Sequence, residues 1–168
     1  MNWIYEHDVN NTARFTLGEY QYISDKTLIC FGINPSTATP NNLDNTLKKV
    51  RALASFNGYT NWVMLNLYPQ RATNPNKLHM VCDTQLCSEN IVAIKKVLCS
   101  FVNADILLAY GNLIKKRAYL ENCFIEIKNE IKKSDFTGRI LCIDITKQGN
   151  PIHPLYQKST SHFILYDK

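Results

Sequence analysis

Residues 27–33 read Thr-Leu-Ile-Cys-Phe-Gly-Ile, an apolar and β-branched run. Polar and apolar positions do not alternate in it, so it predicts a strand whose two faces are both covered. Such a strand belongs to a parallel sheet with helices on either side. The run therefore indicates an α/β fold and forms the first strand of the predicted sheet.

The rest of the chain adds alternating helical and strand patterns on the carboxyl side of this run. They predict a three-layer α/β/α sandwich with a central four-stranded, mainly parallel sheet, formed by a single domain over residues 1–168. Residues 1–26 are less regular, and Arg14 to Leu17 are predicted as an edge strand. The further elements are a helix from Leu43 to Phe56 with Asp44 as its N-cap, a strand from Asn61 to Leu67, a helix beginning at Asp83, a strand from Ala104 to Tyr110, a helix from Leu113 to Ile131 and a strand from Arg139 to Ile143.

Composition limits the class of protein. The chain has 168 residues, 45% of them hydrophobic and 20% charged, which is typical of a soluble globular domain and excludes wholesale disorder. The apolar runs are too short to cross a bilayer, and no signal peptide is visible, so we expect a cytoplasmic monomer. The formal net charge of +5 permits a nucleic-acid partner without requiring one.

Six cysteines occur without a Cys-x-x-Cys pair. The two closest are Cys82 and Cys87, with four residues between them. Neither the spacing nor paired histidines match a zinc or iron–sulfur motif. We therefore expect buried, reduced thiols, with no metal and no cofactor.

Polar and proline-rich segments follow the predicted strands. Ligands of open parallel sheets bind outside the carboxyl ends of the strands, which places the expected crevice at these segments. Asn34 precedes Pro35, so its backbone is biased away from the helical region and its amide is held at the strand end, although Asn-Pro also favours a plain turn. Asn66 offers a donor and an acceptor that suit a nucleobase edge. Arg71 suits a phosphate or carboxylate and equally a structural salt bridge.

His153 stands between Pro151 and Pro154 in the segment after the last predicted strand. The flanking prolines stiffen its backbone, so the imidazole is aimed rather than mobile. Its position at the predicted crevice favours a functional role over a structural one. The other three histidines lack such a context.

Three motifs in order, Gly-Ile-Asn-Pro-Ser at 32–36, Asn-Leu-Tyr-Pro-Gln-Arg-Ala-Thr at 66–73 and His-Pro-Leu at 153–155, resemble the uracil-DNA glycosylase superfamily. The first motif is similar to that of the mismatch-specific branch. The second is similar to segments of both the mismatch-specific and the single-strand-selective branches, and the third is similar to the last motif of the single-strand-selective branch. The same motifs, with Arg-Phe-Thr-Leu at 14–17 and Asp-x-Thr at 44–46, resemble the bacterial and phage domain of unknown function 1643 family over nearly the whole chain.

The glycosylase resemblance implies a set of roles. Asn34 would orient the attacking water, and His153 would donate a hydrogen bond to the departing base. Asn66 would recognise the edge of the flipped base, and Leu155 or Tyr156 would fill the gap in the base stack. The remaining base contacts would come from Ile33, Pro35 and Tyr68, and the DNA backbone contacts from Ser36, Thr37, Arg71, Lys115, Lys116 and Arg117. No metal is required.

Departures from the glycosylase pattern suggest an unusual base. Ser36 replaces a glycine, Leu155 replaces a serine, and no aromatic residue lies between Gly32 and Ser55, unless Tyr68 or Tyr22 substitutes. These differences favour a wide pocket and a bulky, modified pyrimidine, such as hydroxymethylated or glycosylated cytosine in phage DNA, and hence a role in anti-phage defence. The alternatives are a catalytically inactive DNA- or protein-binding member of the fold and a hydrolase of nucleosides or nucleotides.

Overall fold

The computed structural model describes residues 1–167, which contain seven strands and three α-helices. The strands are β1 Asn2–His7, β2 Arg14–Tyr20, β3 Thr27–Gly32, β4 Asn61–Asn66, β5 Asp105–Leu108, β6 Ile140–Cys142 and β7 Ile164–Leu165. The helices are α1 Asn45–Phe56, α2 Thr84–Ser100 and α3 Ala118–Lys133, with short 3-10 turns at Pro75–Lys77, Gly111–Lys116 and Pro154–Tyr156. No helix among these residues is long and apolar enough to span a membrane.

The seven strands form one mixed sheet in the order β1-β2-β4-β3-β5-β6-β7. The pairs β3–β4, β3–β5 and β5–β6 are parallel, and the pairs β1–β2, β2–β4 and β6–β7 are antiparallel. The predicted count of four strands is therefore wrong. Antiparallel strands from both ends of the chain extend the sheet on each side.

Residues of β3 alternate between two apolar layers. Leu28 and Cys30 pack with α1, whereas Ile29 and Phe31 pack with α2 and α3 on the opposite face. All six residues of β3 are buried. Helices thus cover both faces of the sheet, as the apolar run predicts.

Two local predictions are corrected by the structure. The segment beginning at Arg14 is not an edge strand, because β1 pairs along the outer side of β2 and buries it. The predicted helix starting at Leu113 is divided, since Arg117 adopts an extended backbone with φ −137° and ψ 135° between the 3-10 turn and α3. Leu113 is consequently exposed at the surface instead of packed under a helix.

The ends of β3 and β4 lie at the same level of the sheet. Gly32 is aligned with Asn66, so the chain leaves both strands at one edge. Asp44 caps α1 by accepting a hydrogen bond from the Leu47 N–H, as the sequence predicts. These features bring the loop after β3, the start of α1 and the loop after β4 together.

We predict that Gly18→Ala destabilises the sheet strongly. A Cβ atom at Gly18 would lie 2.8 Å from the Val63 Cα, a backbone atom of the neighbouring strand that cannot move independently. Overpacking typically costs about 1–3 kcal/mol, and because the Trp62 carbonyl oxygen is contacted as well, we expect a loss at or above the upper end of that range. The loss is measured by urea denaturation.

Gly58→Ala is the matched control for this measurement. Gly58 has φ +78°, and a Cβ there meets no heavy atom within 4 Å, so only conformational strain of about 1–2 kcal/mol is added. A Gly18→Ala protein that is no less stable than the Gly58→Ala protein would contradict the prediction.

Candidate functional site

A cavity of about 560 Å³ opens at the carboxyl edge of the parallel strands. Its lining comes from the loop after β3, the start of α1, the loop after β4 and the two 3-10 turns that follow β5 and β6. The lining residues with chemically distinctive side chains are Asn34, Asp44, Thr73, His153 and Tyr156. We call this the Asp44–His153 cavity. It brings together Asn34 and His153, the two residues to which the glycosylase resemblance assigned catalytic roles.

The Asn34 side chain connects the two loops that leave β3 and β4. Its Nδ2 donates to the carbonyl oxygens of Pro35 at 2.9 Å, Gln70 at 3.4 Å and Ala72 at 2.8 Å. The amide nitrogen is thereby fully used within the protein. The chemically available part of this side chain is its carbonyl oxygen, an acceptor.

His153 is held as a neutral imidazole with a defined tautomer. Its Nδ1 accepts a hydrogen bond from the Leu155 N–H at 3.3 Å, so Nε2 carries the ring hydrogen. Burial lowers the pKa of His153, and the nearby Asp44 charge opposes that effect only in part. At neutral pH the ring is therefore a hydrogen-bond donor through Nε2.

Asp44 is a candidate functional residue that the sequence analysis treated only as a helix cap. One carboxylate oxygen accepts from the Leu47 N–H at 2.9 Å. The carboxylate also lines the cavity and acts electrostatically on His153. The Asp-x-Thr motif at 44–46 was the available signal, but capping alone accounts for an aspartate at that position.

A second cavity of about 550 Å³ adjoins the first, and the two share Ser36, Ala72 and Thr73 as lining residues. It is also lined by Thr37, Arg71 and Lys77. We call it the Arg71–Lys77 cavity. We call the two cavities together the cleft. One part of the cleft has a carboxylate and an imidazole, and the neighbouring part has cationic and hydroxyl groups.

Arg71 and Arg14 both hold the loop after β3 through its backbone carbonyls. Arg71 Nη1 donates to Ser36 and Ala38, and Arg14 Nη1 donates to the same Ala38 oxygen at 3.2 Å. Arg14 is only 2% exposed, and its pKa is lowered to about 10 by burial and then by the charge of Arg71. The Nε atoms of both arginines lack a partner within residues 1–167. Arg14 could not be identified from the sequence, because a single arginine in a predicted strand gives no sign of whether its side chain is buried or exposed.

The residues predicted to contact the base lie deeper than either cavity. The side chain of Asn66 is fully buried, and its amide has no hydrogen-bond partner in the described part of the chain. Tyr68 is also buried, and its hydroxyl contacts the His79 Nδ1 at 2.7 Å and accepts from the Asp83 N–H. Ile33 and Pro35 are buried as well. None of the four lines the two cavities.

The predicted DNA-contacting residues fall into two groups. Ser36, Thr37, Arg71, Leu155 and Tyr156 line the cleft, and Tyr156 is 89% exposed. Lys115, Lys116 and Arg117 lie at the 3-10 turn after β5. Lys115 forms an ion pair with Glu121, Lys116 is exposed, and Arg117 donates to the carbonyls of Asn76, Leu78 and His79.

The family of the chain is established by a family model described as "Protein of unknown function (DUF1643)", which matches residues 14–155. The chain belongs to this family. The matched segment runs from β2 into the last 3-10 turn, ending one residue before Tyr156, and so contains nearly all of the residues that line the two cavities. No curated protein and no solved structure matches the chain.

We predict that Asn34→Ala destabilises the protein by about 1–3 kcal/mol, because the carbonyls of Gln70 and Ala72 lose their side-chain donor, whereas that of Pro35 still accepts from the Ala72 N–H. Thermal or urea unfolding measures the loss. Asn45→Ala is the matched control, since Asn45 lines the same cavity but is exposed. Equal stability of the two variants would show that the Asn34 amide does not support the loops.

We predict that His153 titrates below the ordinary histidine pKa of about 6.5. Because the unfolded chain takes up a proton first, this histidine contributes stability above pH 6.5 or so and loses it as the pH falls through the lowered pKa. Imidazole C–H chemical shifts followed against pH give the midpoint, and His153→Gln assigns the signal. A midpoint at or above the ordinary value would contradict the buried, neutral state.

Proposed function

We propose that the protein is a uracil-DNA-glycosylase-like enzyme that hydrolyses the N-glycosidic bond of a flipped, modified pyrimidine and leaves an abasic site. The observation that carries the proposal is the presence of Asn34, Asp44 and His153 around one cavity at the carboxyl edge of the sheet. The motif resemblance at 32–36, 66–73 and 153–155 supports the same class of enzyme. A role in defence against phage DNA with modified bases follows from the bulky substrate that we propose.

His153 supplies the stabilisation of the leaving base. A pyrimidine that departs from the sugar carries negative charge, and a fixed donor aimed at that charge lowers the barrier by about 3–4 kcal/mol. The neutral imidazole, with Nδ1 occupied by the Leu155 N–H, presents its Nε2 hydrogen for this purpose. A neutral donor binds the uncharged base of the intact substrate less strongly than an imidazolium would, so more of its stabilisation is specific to the departing base.

Asn34 and Asp44 serve the sugar side of the bond. An oxocarbenium-like sugar is stabilised by a nearby carboxylate, which Asp44 provides at the cavity wall. An amide cannot remove a proton near neutral pH, so Asn34 orients the attacking water through its free carbonyl oxygen. Asp44 is the group in the cavity that can accept the proton of that water.

The adjoining Arg71–Lys77 cavity fits the DNA backbone. Its cationic side chains and the hydroxyls of Ser36, Thr37 and Thr73 are groups that bind phosphate oxygens. Shared lining residues join it to the Asp44–His153 cavity. A nucleotide within a strand requires this juxtaposition of phosphate and sugar sites, and a free base does not.

Asn66 and Tyr156 suit the recognition and flipping of the base. A buried amide with neither donor nor acceptor satisfied is rare and points to a missing partner. The Asn66 side-chain oxygen lies beside Gly32, at the edge of the sheet where the cavity opens, and the proposal requires a local opening there for a base to reach it. Tyr156, exposed at the cavity mouth, is available to fill the gap in the stack.

The test is a glycosylase assay that includes Asp44→Asn, a variant that removes the charge of Asp44. DNA containing uracil, thymine mismatches, hydroxymethylcytosine or glycosylated cytosine is incubated with the protein, and abasic sites are counted after alkali. We predict that Asp44→Asn and His153→Gln each lower the rate by about 10²–10³-fold. Asparagine is also a good N-cap, so Asp44→Asn removes the charge while it retains the cap of α1.

Glu89→Gln is the control for these variants, because Glu89 is exposed on α2 and lines neither cavity, and it should keep the activity of the unmodified protein. Absence of abasic sites on every DNA, with salt-dependent binding retained, would overturn the proposal in favour of a DNA-binding protein. Hydrolysis of free nucleosides or nucleotides without DNA binding would overturn it in favour of a nucleoside hydrolase. Preference for plain uracil would contradict only the part of the proposal that concerns a modified base, and the glycosylase activity would stand.

A further inference from the structure

Three cysteine thiols converge on the sheet face that carries α2 and α3. The Sγ atoms of Cys82, Cys87 and Cys123 all lie within 4.8 Å of one another. The Cys82–Cys87 sulfur distance is 2.8 Å and the Cys87–Cys123 distance is 3.8 Å. No role in the cleft chemistry accounts for this cluster, which we call the three-thiol cluster.

The fold, rather than local spacing, assembles the three-thiol cluster. Cys82 directly precedes Asp83, the N-cap of α2, and Cys87 lies one turn inside that helix. Cys123 is on α3, which packs on the same face of the sheet. A spacing rule applied to the sequence misses this arrangement because the third thiol comes from a different helix. The expectation of no metal was based on such a spacing rule, which does not take account of the third thiol.

One of the sulfur separations matches thiolate coordination of a tetrahedral ion. Zinc–sulfur bonds of about 2.3 Å at tetrahedral angles place neighbouring sulfurs about 3.8 Å apart, which is the Cys87–Cys123 separation. The Cys82 and Cys87 sulfurs, 2.8 Å apart, are closer than this, so the Cys82 side chain would move outward when an ion binds. A disulfide between Cys82 and Cys87 requires only two thiols and leaves the position of Cys123 unexplained. We propose that Cys82, Cys87 and Cys123 bind one zinc ion, with the fourth position open to water.

Access to the cluster is compatible with this assignment. Cys82 and Cys87 are partly exposed and Cys123 is buried, so an ion can enter from one side. The His79 Nδ1 is occupied by the Tyr68 hydroxyl at 2.7 Å and is not assigned as a ligand. Bound zinc would link the end of the 66–83 segment to α3. This role concerns the stability of that segment and is independent of the proposed glycosylase activity.

The experiment uses the whole, fully reduced protein after chelator treatment. Zinc is titrated in competition with a chromophoric chelator, and cobalt replaces zinc for spectroscopy. We expect one equivalent of zinc per chain, sulfur-to-cobalt charge-transfer absorption and a higher melting temperature. Cys82→Ser, Cys87→Ser and Cys123→Ser should each weaken zinc binding at least about tenfold.

Cys99→Ser is the matched control, because Cys99 is exposed at the other end of α2. It should bind zinc as tightly as the unmodified protein. Alkylation and mass spectrometry provide a readout that does not depend on variants: zinc should protect Cys82, Cys87 and Cys123 but not Cys99. No stoichiometric binding, an equal loss in Cys99→Ser, or a Cys82–Cys87 disulfide in place of zinc in the protein as purified would overturn the proposal.

Discussion

The edge of the sheet depends on the hydrogen bonds that join the loop after β3 to the loop after β4, those of the Asn34 amide together with the backbone bonds from Tyr68 N–H to Ile33 and from Ala72 N–H to Pro35. One nitrogen donates to carbonyls in two loops, so the chain leaving β3 and the chain leaving β4 are joined where both strands end. Arg71, from the second loop, then holds two further carbonyls of the first loop. The shared wall of the two cavities, formed by Ser36, Ala72 and Thr73, lies at this junction.

The charges around the cleft follow from the same arrangement. Burial, and then the charge of the neighbouring Arg71, lowers the pKa of Arg14, and both guanidinium groups donate to the Ala38 carbonyl oxygen. Buried cations are costly unless hydrogen bonds or opposite charges compensate them. The carbonyls of the loop after β3 and the Asp44 carboxylate give that compensation. A negative ligand group near Arg71, such as a phosphate of the proposed substrate, would add to it.

Much of the fold follows from local sequence patterns, and the exceptions have physical causes. The run at 27–33 and the caps Asp44 and Asp83 were predictable because burial on both faces and helix capping depend on adjacent residues. β1 was missed because an edge strand with half-buried residues lacks a strong pattern, and the two-residue β7 is too short to show one. Such strands form because they pair with other strands, β1 with β2 and β7 with β6, and not because of their own sequence pattern.

The residues of the candidate site can likewise be separated into those that local sequence predicts and those that it does not. Asn34 and His153 were found because prolines fix their backbones beside predicted strand ends. Asp44 had a sufficient local explanation as a cap, and Arg14 lies in a strand distant in sequence from the loop that it supports. The burial of Asn66 and Tyr68 depends on how closely β3 and β4 pack with the helices, which no short motif encodes.

The triple contact of Asn34 also affects how relatives of this protein diverge. A family member that no longer performs any chemistry still needs the two loops to be joined, so selection for the fold alone preserves the asparagine. Asp44 and His153 are under no such requirement, because other cap residues replace an aspartate and other side chains tolerate the position between two prolines. Retention of Asn34 in a distant homologue therefore indicates common architecture, whereas joint retention of Asp44 and His153 is what the proposed function predicts for homologues that share its reaction.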